Sequence, residues 1–194
     1  MTAPAPADVP ILQTASSLVV LTTTTYRSLQ ALPFGGGANA PGPVRDLIAA
    51  ALEELGRART DLADATRAAG GRVQNGSNPR YAPVVAQALP TVRGPGDVVG
   101  LALTLEDVLA QTLVRDVVDL TSPDVRRTVA GHAAAAARRK ALLLTLGALL
   151  STGRSDLVAA PPDLGALPPS AGTVGFPDVL FPTEKASPSA EGAL

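Results

Sequence analysis

The 194-residue chain has no cysteine and no tryptophan, and only one histidine and one methionine. Without cysteine, disulfides, thiolate metal sites and thiol nucleophiles are excluded together. The lone His132 supplies no Glu-x-x-His motif and cannot form a cluster ligand set by itself, so it reads as a packed or surface histidine. No Ser–His–acid arrangement can be argued around it. The net charge of −1 shows no basic excess to neutralise phosphates, which argues against nucleic acid as a main partner. Long apolar runs are missing too. Ala141–Leu150 is too short to span a bilayer, and the stretch Leu18–Leu21 precedes the first positive charge, Arg27, so it lacks the basic region of a secretory signal. The expectation is a chain with no membrane span and, by default, a cytoplasmic location.

Hydrophobic residues make up 46% of the chain and charged ones 17%, which excludes disorder throughout. Aromatics are only 3%, so the core must be built from alanine and larger aliphatics, a composition that favours closely packed helices. Proline and glycine divide the chain. Residues 1–8 read as a frayed leader. A first helix spans about Val9–Ala31, with Asp8 as its cap and Pro10 in its first turn. A second runs from Val44 to about Ala69 and stops at Gly70-Gly71. The connection 72–96 carries a turn at Asn75–Pro79 and a short helix near Pro83–Leu89. A third long helix covers about Asp97–Leu120. Ser122-Pro123-Asp124 then starts a fourth, ending near Thr152-Gly153. Residues 154–194 form a proline-rich tail that Phe176, Val179, Leu180 and Phe181 would pin to the bundle.

Each long helix carries an apolar stripe at alternating four- and three-residue spacing. The stripes are Leu12, Ala15, Val19, Thr22, Tyr26 and Leu29; Val44, Ile48, Ala51, Leu55, Ala58, Leu62 and Ala65; Val99, Leu103, Glu106, Ala110, Leu113, Val117 and Leu120; and Val125, Val129, His132, Ala136, Arg139, Leu143, Leu146 and Leu150. This pattern predicts an all-α four-helix bundle over residues 9–153, with short loops joining helices 1–2 and 3–4 and a long crossover between 2 and 3.

Glu106 interrupts an apolar stripe, and a buried carboxylate needs a partner, a metal or a proton. Arg139 stands at the equivalent position on the last helix. Two arrangements are open: a two-pronged ion pair, or a Glu106 turned to the rim with Arg139 extended to solvent. Glu53 and Glu54 read as surface partners of Arg57. Arg126-Arg127 and Arg138-Arg139-Lys140 read as solvated faces. Gly35-Gly36-Gly37 has no preceding strand and is a loop rather than a phosphate fingerprint.

Several segments carry a family likeness: Leu12–Leu18 (LQTASSL), Thr25-Tyr26, Leu32-Pro33-Phe34, Asn78–Val85 (NPRYAPVV), Leu101–Asp107 (LALTLED) with Ala110-Gln111-Thr112, Val174–Pro177, Phe181–Thr183 and Ala186–Pro188. Across nearly its whole length the chain resembles the bacterial ferritin-like domain proteins, often exported or desiccation-associated. The resemblance implies a ferritin-like bundle. In members that hold metal, helices 1 and 3 each offer a glutamate, and helices 2 and 4 offer acid or amide residues with histidines. Carried onto this chain, those positions are Val19, Leu55, Ala58, Glu106, Ala136 and Arg139. One ligand is left, which implies that no cofactor is held and that oxidase chemistry is lost. The leading expectation is a non-catalytic scaffold or interaction protein, acting as a homodimer or with a related ferritin-like protein. Two alternatives are an iron- or manganese-dependent oxidoreductase using Glu106 with Glu53 or Glu54, and a small-molecule module in which Arg139 reads an anion.

Overall fold

The computed structural model describes residues 5–154 and 182–194. The protein is all-helical, with α1 (Val9–Gln30), α2 (Gly42–Ala68), the short α3 (Ala82–Ala88), α4 (Pro95–Asp119) and α5 (Pro123–Ser151). Each of the five has a proline in its first turn, where the missing N–H costs nothing and the fixed φ favours helix. Both α2 and α5 end in a glycine with positive φ, Gly70 at 80° and Gly153 at 72°. Beyond them the N–H groups of Gly71 and Arg154 reach back to the carbonyls of Thr66 and Leu149, satisfying the last turns. The loop after α1 needs Gly35 for a different reason. A Cβ there would stand 2.0 Å from the Leu29 carbonyl oxygen.

Asp8 overturns its sequence assignment. Residues 6–8 form a 3-10 turn rather than fraying, and the Asp8 side chain does not cap α1. Its buried carboxylate instead accepts the Thr121 N–H (2.8 Å), the Thr121 hydroxyl (2.9 Å) and the Ser122 N–H (3.3 Å). It therefore ties the start of α1 to the α4–α5 corner.

The four long helices form a bundle in which α1 packs on α2 and α4, and α5 packs on α4 and α2. Asp8 meets Thr121 while Tyr26 meets Glu106, so α1 and α4 run antiparallel. Asp61 meets His132 while Glu54 meets Arg139, so α2 and α5 do too. The diagonal pairs are consequently parallel, and the α2–α4 connection travels the bundle's length. The stripes shift slightly from their expected positions. On α4 Ala102 is buried and Leu103 only partly, on α2 Thr66 replaces Ala65, and on α5 Ala133 is buried where His132 was placed. His132 is pulled aside to Asp61, 2.9 Å away.

α1 departs most from a one-sided helix, because residues 11–23 are all buried. Its outer face is covered by α3, through Leu21, Val85 and Leu105, and by residues 182–194. Ser16, Thr23 and Thr25 satisfy their buried hydroxyls on the carbonyl four residues earlier. Phe176, Val179, Leu180 and Phe181 lie outside the described residues. Among the described residues, no helix is long and apolar enough to cross a membrane.

Candidate functional site

At mid-bundle, α4 presents Glu106 inward with no solvent exposure, and α5 presents Arg139 with 5%. The Arg139 Nε–H donates to Glu106 Oε1 at 2.8 Å and its Nη2–H to Oε2 at 2.9 Å, a planar two-pronged pair. The Tyr26 hydroxyl, from α1 and fully buried, donates to Glu106 Oε1 at 2.9 Å. On the outward side, Arg139 Nη1–H donates to Glu54 Oε2 at 2.6 Å, and Arg138 Nη2–H to Glu54 Oε1 at 2.6 Å. Glu54 is thus not an Arg57 surface partner. It is half-buried and links α2 to the centre, whereas Glu53 is exposed. Arg138, read as part of a solvated face, is held by the same carboxylate.

The chain of charges alternates in sign from Glu106 through Arg139 and Glu54 to Arg138. Burial pushes the Glu106 carboxyl above its ordinary range, against the opposing pull of Arg139 and the Tyr26 hydroxyl. Burial opposes the Arg139 cation, but Glu106 and Glu54 outweigh it and hold its pKa above the usual value. Burial also acts to raise Glu54, and there Arg139 and Arg138 prevail and lower it. Tyr26 is pushed well above the ordinary tyrosine range by burial and by the neighbouring Glu106, so its hydroxyl stays a proton donor.

Val19, Leu55, Ala58 and Ala136 are all buried in the apolar core around this pair. Among the described residues, no three His, Asp or Glu side chains are grouped to hold a metal ion. A shallow cavity of about 160 Å³ lies between α2 and α5, where Leu47, Leu142 and Leu146 lead down to Glu54 and Arg139.

Further along α4, Asp116 is fully buried, and neither carboxylate oxygen has a hydrogen-bond partner among the described residues. Burial, and then the nearby Asp119, push its pKa well above the usual range, with Arg115 opposing. Nothing in the sequence pattern sets Asp116 apart, since it stands beside Arg115 and off the expected α4 stripe. Sequence reasoning passed over Tyr26 as a partner, although a buried tyrosine hydroxyl calls for one.

No protein-family model matches the chain, and neither does any curated protein or solved structure.

Proposed function

We propose that this protein is a non-catalytic scaffold or interaction protein, built on a ferritin-like bundle whose metal site has given way to packing and an internal ion pair. One observation carries the reading: both oxygens of Glu106 are engaged by the Arg139 guanidinium at the bundle centre. A fixed cation there opposes a metal cation electrostatically, and it occupies the lone pairs that a metal would need. The order of helices, with parallel diagonal pairs and a long α2–α4 crossover, supports the ferritin-like assignment. The oxidoreductase alternative finds less support, because the Glu54 oxygens are likewise taken by Arg138 and Arg139. Anion recognition by Arg139 is also weakened, since the donor it turns toward the α2–α5 cavity is held by Glu54.

Metal analysis of protein purified without chelators is expected to find only trace iron and manganese, equally in wild type and Glu106→Ala. Stoichiometric metal that disappears in Glu106→Ala would overturn the reading. The reading extends to association, as a homodimer or with a related ferritin-like chain. Sedimentation at increasing concentration, alone and with such a relative, is expected to show a species heavier than the monomer. A strict monomer in both cases removes the interaction half of the proposal.

A further inference from the structure

Residues 182–194 lie along the outer groove between α1 and α4, beside the connection that follows α2. The groove holds them chiefly by their main chain. The Lys185 N–H donates to Gln111 Oε1 (2.9 Å), the Ser187 N–H to Thr112 Oγ1 (2.9 Å), the Gly192 N–H to Thr14 Oγ1 (3.0 Å) and the Leu194 N–H to Gln13 Oε1 (3.0 Å). In the other direction, the Lys185 carbonyl accepts from the Tyr81 hydroxyl (2.7 Å), the Ser189 carbonyl from Thr14 (2.9 Å) and the Gly192 carbonyl from Gln74 (2.6 Å). Six groove side chains from three parts of the fold thus make seven bonds to one short peptide backbone.

Three features add a reading of sequence. Asp107 pairs with Lys185 at 2.7 Å, and buried Asn78 donates to Ser187 Oγ at 3.1 Å. At Gly192 the backbone comes so close that a Cβ would stand 2.3 Å from Ser17 Oγ and 2.9 Å from Thr14 Cα. The segment follows the groove through turns, closed by the Ala186 N–H on the Thr183 carbonyl, the Glu191 N–H on the Pro188 carbonyl and the Ala193 N–H on the Ala190 carbonyl. The groove recognises this folded-back backbone through main-chain bonds backed by a few side-chain contacts.

We propose that the α1–α4 groove is a peptide-binding site whose ligand is the 182–194 segment, and that a second copy of the chain delivers this segment in trans as well as the chain's own copy in cis. Nothing in the seven bonds depends on covalent continuity with α5. The 27 residues between Arg154 and Pro182 span at most about 90 Å, twice the roughly 44 Å length of α5, which is enough to reach a neighbouring molecule's groove. Exchange of an identical element between copies needs no new complementary surface. Cis seating enjoys the high effective concentration of a tether, so trans seating dominates where the cis segment is displaced or the protein is concentrated. The groove's chemistry does not depend on what occupies the bundle centre.

The test uses full-length chains whose own segment cannot seat, Gly192→Val and, independently, Ser187→Pro, which lacks the N–H that Thr112 accepts. A labelled peptide of residues 182–194 is titrated into each and followed by fluorescence anisotropy. Saturable binding is expected to both, at least tenfold tighter than to wild type, whose groove is already filled, and lost when Thr14→Val and Thr112→Val are added. Mixing the Gly192→Val chain with a Thr14→Val/Thr112→Val chain, which has an intact segment but a weakened groove, is expected to give a heterodimer in sedimentation. Absence of saturable binding to both variants, equal binding to wild type, or a mixture that stays monomeric overturns the proposal.

Discussion

Removing Arg139 alone is expected to destabilise the protein by roughly 3–5 kcal/mol at neutral pH, since it leaves a fully buried carboxylate with Tyr26 as its one partner among the described residues. Glu106→Ala is expected at the lower end of the same range, because Arg139 keeps its bond to Glu54. The Arg139→Ala loss has a definite pH dependence. Burial already raises the Glu106 carboxyl, and losing the guanidinium raises it further. A carboxyl raised in the folded state contributes its stability fully below its unfolded pKa and loses it as pH rises through the folded pKa. Arg139→Ala is therefore least damaging in mild acid and worsens towards neutrality. Joint replacement by apolar residues, Glu106→Leu with Arg139→Met, should cost far less than either single change, provided Tyr26→Phe goes with it so that no hydroxyl is left unpaired. Denaturant unfolding of the wild type and these three variants reads all of this. Small, equal losses from both single variants would show that the pair contributes little to stability.

The second large effect is a gain. Asp116→Leu is expected to stabilise the protein by about 1–3 kcal/mol at neutral pH, the typical penalty of a buried polar group with no partner. Here too the folded-state pKa is raised, by burial first and then by Asp119. The wild type thus gives up stability as pH climbs from about 4, where an ordinary aspartate ionises, toward the elevated folded pKa. The advantage of Asp116→Leu should be smallest near pH 4 and widen with increasing pH in thermal melts. A variant less stable than wild type at every pH would mean that Asp116 has a partner after all.

Most of the helical architecture could be read from the sequence because its signals are local and redundant. Proline in the first turn and glycine past the last mark the ends, and the four-three spacing marks the buried stripe. Glu106 stood out for the same reason, as one acid among leucines, valines and alanines. Glu54 did not, since it lies one position off its stripe and reaches the centre only through its long side chain. The groove was hidden by a deeper ambiguity. Gln13, Thr14, Gln111 and Thr112 form a polar face opposite the core stripes, and a polar face that binds water looks the same in sequence as one that binds a peptide backbone. Only tertiary structure, which joins residues up to 181 positions apart, separates the two.

That separation also orders the making of the molecule. α1 is synthesised before the three long helices it packs with or lies beside, yet its outer face is completed by residues translated after all of them. On the ribosome the helix must wait, its Gln13, Thr14 and Ser17 facing water, while the other helices assemble beneath it. Contacts of such long range form late and slowly in folding. Polar residues on that face keep the unfinished bundle soluble during the wait, where a hydrophobic seam would invite misassembly.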